Sequence, residues 1–139
     1  MRIDTGSDFG GRAARRLRDE LIYWLVTVGL DGTPQPSPVW ALWDGETFLI
    51  YSRPDTPKLR NIAAHPRVAL HLDGDGRGGD IVIVTGDARI AADAPAADRV
   101  AVYVAKYREA MQRIGMTPES FARAYSVAVR VTPAHLRGH

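Results

Sequence analysis

The sequence contains no cysteine. Disulfide frameworks, thiolate nucleophiles, iron–sulfur clusters and cysteine-ligated zinc are excluded together, so any redox activity needs a borrowed cofactor. Lysine is nearly as scarce: Lys58 and Lys106 are the only two, and the formal net charge is +2. A protein that grips nucleic-acid phosphates needs a dense Lys/Arg stripe, so no nucleic-acid partner is expected. Long apolar runs are also missing. The longest, Leu21 to Leu30, is interrupted by Thr27 and Gly29 and has about half of the roughly 20 residues a bilayer span requires. No membrane partner is expected. The N-terminus carries Asp4, Asp8, Arg12, Arg15, Arg16 and Arg18 in place of the apolar centre of a secretory signal, which implies a cytoplasmic address.

Familiar catalytic motifs are absent too. Gly74, Gly76 and Gly79 match the spacing of a dinucleotide fingerprint, but that fingerprint must open a helix, and Ile81 to Thr85 has the composition of a strand. The loop from Asp73 to Asp80 is instead expected to be a flexible hairpin. It is no EF-hand either, because the twelfth position from Asp73 is Val84 where a glutamate is required. The four histidines show no metal-ligand spacing, and no serine sits in a G-x-S-x-G elbow.

What remains is an ordinary globular composition, 45% hydrophobic and 24% charged over 139 residues, which suits one domain spanning residues 1–139. Apolar residues at helical spacing predict an amphipathic helix over Phe9 to Leu21. Strands follow from Ile22 to Leu30, Gln35 to Trp43 and Thr47 to Ser52, separated by the turn dipeptides Asp31-Gly32 and Asp44-Gly45. Thr56 has the character of an N-cap, with Pro57 at the first position of a short helix over Lys58 to Ala64 that ends before Pro66. Val68 to Asp73 and Asp80 to Ala91 complete two more strands. A long helix is predicted over Ala96 to Ile114, burying Ala97, Val100, Ala101, Val104, Met111 and Ile114. A short helix from Thr117-Pro118 toward Ala124 and a closing strand from Ser126 to Val131 precede a tail, His135 to His139. Six strands in tight succession with four helices predict a mainly β fold with α, an antiparallel barrel with peripheral helices. The strand from Ile81 to Thr85 is apolar on both faces, which predicts a homodimer.

Two segments stand out. In Tyr51-Ser52-Arg53-Pro54-Asp55-Thr56-Pro57-Lys58-Leu59-Arg60-Asn61 a strand end delivers a hydroxyl and cations to a helix N-terminus, where free N–H groups and the helix dipole favour an anion. Lys58 opposes that dipole unless an anion is bound; equally, Lys58 and Arg60 could point into water at small cost. In Ser37-Pro38-Val39-Trp40, proline inside a strand forfeits a ladder bond and confines the segment to an edge or bulge. Its free backbone groups and Trp40 could meet a planar ring, or Trp40 and Trp43 could simply fill the core.

These segments in this order, followed by Asn61-Ile62-Ala63-Ala64-His65-Pro66-Arg67-Val68-Ala69-Leu70, resemble the pyridoxamine-phosphate-oxidase-like superfamily of flavin and deazaflavin oxidoreductases. Pro38-Val39-Trp40-Ala41-Leu42-Trp43 together with Ser52, Lys58, Arg60 and Asn61 looks like its coenzyme F420-dependent branch. The resemblance implies a dimeric split β-barrel with the cofactor in a groove between subunits. It also implies phosphate contacts from Ser52, Lys58, Arg60 and Asn61, a groove wall from Tyr51 and Arg53, and a ring lining from Ser37, Pro38, Val39 and Trp40. Arg137-Gly138-His139 would reach the partner's cofactor. Pro57 precedes Lys58, so the arginine-lysine pair that the FMN-binding oxidases carry before the phosphate helix is missing, which argues against a vitamin B6 oxidase. The implied activity is hydride transfer between reduced deazaflavin and an enone, a quinone or a tetrapyrrole-like acceptor, with no catalytic side chain required. An FMN-binding protein of the same fold and a non-enzymatic cofactor or tetrapyrrole carrier are the alternatives.

Overall fold

Both turn dipeptides do what their composition asks. In the computed structural model, which describes residues 1–139, Gly32 and Gly45 take φ of 88° and 92°, the left-handed conformation that glycine adopts without strain. They close the hairpins between β1 (Tyr23–Val28) and β2 (Pro34–Val39) and between β3 (Ala41–Trp43) and β4 (Phe48–Ser52). A helix, α1 (Asp8–Asp19), precedes β1; α2 (Pro57–Ala64), β5 (Arg67–His71) and β6 (Val82–Ile90) follow β4. The chain ends with α3 (Ala101–Arg113), α4 (Pro118–Ala124) and β7 (Val127–Gly138). All strand pairs are antiparallel, in the order β2-β1-β5-β6-β7-β4-β3. No helix is long and apolar enough to cross a membrane.

The sheet has seven strands instead of six because the segment expected as one strand, Gln35 to Trp43, divides at Trp40. The cause is local: the Ala41 N–H donates to the Tyr107 hydroxyl at 2.8 Å, and the Ala41 carbonyl accepts from Lys106 Nζ at 2.8 Å. Both main-chain groups of Ala41 are thus spent on α3. The chain turns there from β2, one edge of the sheet, directly to β3, the other edge. A sheet whose two edges are joined by a single residue must curl, and the result is a barrel split along a seam.

Three other expectations are corrected. The long helix does not begin at Ala96: Ala97–Arg99 is a separate 3₁₀ turn, and Val100 is extended before α3 starts. The buried face of α3 is Tyr103, Val104, Tyr107 and Met111, whereas Ala101 is exposed and Ile114 is 51% exposed. Ala97, Val104 and Met111 are buried as expected, and Tyr103 and Tyr107, at i, i+4 spacing with Met111, complete the face. Leu21 lies beyond the end of α1. The tail is strand, since β7 continues past a bulge at Thr85/Gly86 to pair Gly138 with Val82. A Cβ at Gly86 would sit 2.2 Å from the Thr132 carbonyl oxygen, so only glycine permits that close crossing. His139 then bonds Ile81 through its main chain, which ties the tail to its own subunit. The glycine loop is the expected hairpin, held by Arg16, which donates to the carbonyls of Asp80 and Asp73 at 2.7 and 2.6 Å.

Two apolar clusters result. One fills the barrel, with Tyr23, Leu25, Phe48, Ile50, Leu70 and Val84 among its members. The other packs α3 and α4 against the opposite face of β4 and β7 through Tyr51, Tyr103, Tyr107, Met111 and Phe121. Lys106 sits at their junction. Its ammonium donates to the Tyr23 hydroxyl at 2.8 Å and lies 4.8 and 5.3 Å from the Tyr23 and Tyr107 ring centroids. Burial lowers its pKa to about 8, despite the opposing influence of Asp19 and Glu20.

That shift has a sign in stability. Between about pH 8 and the ordinary lysine value of 10.5 the unfolded chain binds more protons than the folded one, so stability rises with pH. Burial raises the pKa of Tyr23, Tyr103 and Tyr107. Their phenols stay protonated in the fold while unfolded tyrosines ionise, so stability falls above about pH 10. The urea midpoint is therefore expected to climb from about pH 8 and to turn over near pH 10. Lys106→Met should shrink the climb, leaving the part that comes from Lys58, whose pKa burial also lowers; a flat wild-type profile over this window would contradict the assignment.

Candidate functional site

The seam opens where β2 and β4 part company. β3 pairs with β4 as far as Ala41 opposite Ile50, and Trp40 then leads away into β2, leaving Tyr51 and Ser52 at the end of β4 facing Pro38 and Val39 across a gap. A hollow of about 220 Å³ occupies that gap, lined by Pro38, Val39, Trp40, Tyr51, Ser52 and Lys58, with Phe121 of α4 and the residues just after α3 and α4, Ile114 and Tyr125, closing it. A second hollow of about 200 Å³ adjoins it along β2, lined by Thr27, Gln35, Pro36, Ser37, Pro57 and Lys58. Lys58 belongs to both walls.

One side of the seam is an aromatic stack. Tyr107 and Phe121 lie on Trp40 at 4.8 and 5.2 Å with near-parallel planes. Phe121 stacks on Tyr125 at 4.4 Å, and the Arg53 guanidinium covers Tyr125 at 4.6 Å. Trp40 is thereby a fixed part of the wall and not a mobile flap, while Trp43 tilts onto Phe48 at 4.4 Å beside the barrel core. The apolar lining suits a planar ring.

The other side is electropositive and unpaired. Burial lowers the Lys58 pKa, and no carboxylate offsets that loss of solvation. The Lys58 backbone N–H, at the first turn of α2, bonds to no protein acceptor. Thr56 occupies the N-cap position without capping; its hydroxyl pairs with Ser52 Oγ at 3.1 Å. The helix start is left open for an outside acceptor, and an anion there would satisfy the amine, the N–H and the helix dipole together.

The residues singled out from sequence divide into three groups. Pro38, Val39, Trp40, Tyr51, Ser52 and Lys58 meet in the larger hollow, and Ser37 lies in the smaller one. Arg53 and Arg60 are exposed outside both, Arg60 donating to the Asp55 carbonyl at 3.0 Å. Asn61 is buried, and its amide donates to Thr27 Oγ1 at 3.0 Å and Gln35 Oε1 at 2.8 Å, so it braces the smaller hollow from behind. Sequence reasoning missed Ile114, Phe121 and Tyr125, whose place in the wall depends on how α4 docks. The spacing of Phe121 and Tyr125, four residues apart on a helix, was the available signal.

A family model described as pyridoxamine 5'-phosphate oxidase matches residues 10–139. A search of curated proteins finds no match. Among solved structures, an F420 reductase is similar at 27% identity with a TM-score of 0.65, covering 88% of this chain and 94% of that one. A conserved hypothetical protein of Mycobacterium tuberculosis is similar at 24% identity with a TM-score of 0.68, covering 94% of this chain and 82% of the other. The heme storage protein HutZ of Vibrio cholerae shares the fold at 15% identity and a TM-score of 0.63, covering 99% and 95%.

Proposed function

Because the chain belongs to the pyridoxamine 5'-phosphate oxidase family, we propose that its seam holds a phosphate-bearing redox cofactor of the flavin type, coenzyme F420 in preference to FMN, for an oxidoreductase reaction. The observation that carries this reading is the Lys58 ammonium, half-buried beside a free helix N–H with no carboxylate to neutralise it. Such a cation is costly unless an anion joins it. The similarity to an F420 reductase at 27% identity supports the deazaflavin over FMN.

When bound, the cofactor supplies hydride chemistry, and the chain supplies position and a dry surface. Lys58 holds the phosphate, with Ser52 fixing the turn that presents it. Arg53 and Arg60 stand outside the hollows as long cations able to swing over the mouth, and Asn61 keeps α2 against β1 and β2. Ser37, Pro38, Val39 and Trp40 line the ring, and Tyr51, its hydroxyl spent on the Pro95 carbonyl at 2.7 Å, excludes water as a wall. No side chain is asked to donate or accept a proton. The substrate is a small molecule with an activated double bond.

A second copy of the chain completes the groove. Register places Pro36, Val26, Ala69, Thr85 and His135 in one row and Pro38, Trp24, His71, Ile83 and Arg137 in the next, on the outer face of the sheet. The residues of these rows on β1, β5 and β6 are only partly exposed apart from Arg67 and Asp87 beyond them, and such a face suits an isologous contact.

The test is spectroscopic titration of the purified protein with F420, FMN and haem separately, with sizing of the same preparation at micromolar concentration. F420 should bind and the protein should elute as a dimer. Tight FMN binding without F420 affinity would overturn the cofactor choice, and a monomer would overturn the shared groove. With F420 bound, reduced cofactor should be oxidised by members of a panel of enones, quinones and biliverdin; no turnover across the panel would favour a carrier.

A further inference from the structure

Resting on the flavin-type reading above, we propose that β2 recognises the cofactor ring by its N–H: the main-chain carbonyls of Pro36 and Pro38 accept the imide N–H that lies between the two ring carbonyls of a flavin or deazaflavin. The phase of the β1–β2 ladder carries this. Gly29 N–H donates to the Thr33 carbonyl at 2.9 Å, and antiparallel pairs alternate between bonded and non-bonded. The bonded pairs are therefore Thr27–Gln35, Leu25–Ser37 and Tyr23–Val39, while Val28–Pro34, Val26–Pro36 and Trp24–Pro38 turn their main-chain groups away from each other. β2 is the edge of the sheet, so the groups of Pro34, Pro36 and Pro38 point off that edge.

An ordinary edge strand offers N–H and C=O in turn. This one offers carbonyls alone, because every outward position is proline. Pro38 lines the larger hollow and Pro36 the smaller, which makes that margin of the seam an acceptor surface. Across the same two hollows Lys58 contributes only donors, its ammonium and its backbone N–H. The main chain thus gives the seam a polarity, carbonyls on β2 and the Lys58 N–H and ammonium on α2, with the Gln35 and Ser37 side chains beside them. A ligand that fits must turn a donor toward β2 and its anionic or carbonyl oxygens toward Lys58. A ring imide with a phosphate tail has both, and its only ring N–H in that part of the heterocycle is the one between the carbonyls.

A run of prolines on an edge also prevents strand-to-strand association, and that role alone would place no demand on a ligand. The two are separated by titrating the protein with F420 and FMN, each beside its N3-methylated counterpart, which loses the donor and sets a methyl against the carbonyls. For whichever parent binds, methylation should weaken binding by about ten-fold or more, the expected result of leaving a buried acceptor unpaired. The N–H of the bound parent should also ionise at higher pH than in the free molecule, read from its absorption spectrum. Equal affinity of parent and methylated ring would overturn the proposal and leave the cofactor reading standing. Failure of both parents to bind would overturn that reading, and the proposal with it.

Discussion

Replacing Lys58 with alanine is expected to weaken cofactor binding by about 1.5–3 kcal/mol, roughly ten- to a hundred-and-fifty-fold in Kd, through loss of one charge-assisted contact. The fold should not suffer. In the free protein the amine is partly desolvated without a counter-charge, so its removal takes away an unfavourable group, and the thermal midpoint should stay level or rise slightly. This opposition between affinity and stability is the signature of a binding cation, since a lysine kept for structure would lose both together. Lys58→Arg should restore part of the affinity through charge, though not all of it, because a guanidinium reaches differently from an ammonium. Calorimetric titration beside a melting curve measures the two effects. An unchanged Kd would remove Lys58 from the site.

The elements legible in sequence were those set by local chemistry. Asp31-Gly32 and Asp44-Gly45 set two hairpins, Thr56-Pro57 marks the start of α2, and the apparent dinucleotide fingerprint is a hairpin because a strand, β6, follows it. The elements that escaped were set by contacts distant in sequence. The division at Trp40 depends on Tyr107 and Lys106, 66 and 65 residues from Ala41, and no local propensity at Ala41 announces it. The same holds for the site. Ser52 and Lys58 were visible because they lie within one strand–turn–helix, and Pro38 because proline is conspicuous in a strand. Phe121 and Tyr125 were invisible because only the docking of α4 brings them to the seam. Asn61 shows the converse: it lies in α2 as expected, but its amide is directed inward to Thr27 and Gln35.

Tyr107→Phe is expected to destabilise the protein by about 1–3 kcal/mol, a large part of the roughly 5–15 kcal/mol typical of a folded domain. The substitution keeps the ring on Trp40 and removes only the hydroxyl. That hydroxyl accepts from the Ala41 N–H at 2.8 Å and donates to the Leu21 carbonyl at 2.7 Å, and Ala41 is fully buried, so its N–H is left with no partner and no water. One such stranded group costs about 1–3 kcal/mol, whereas the exposed Leu21 can bond water instead. One turn earlier on the same helix face, the Tyr103 hydroxyl is buried without any hydrogen-bond partner. Tyr103→Phe should therefore be neutral or stabilising, by up to about 1 kcal/mol, since it deletes an unsatisfied polar atom. The same chemical change four residues apart thus has opposite expected signs, which urea midpoints at neutral pH will resolve. Because Ala41 is where the chain crosses from one edge of the barrel to the other, loss of its anchor should also loosen Trp40 and weaken ring binding, an effect Tyr103→Phe should not share. Equal midpoints for the two variants would mean that Tyr107 does not hold the crossover.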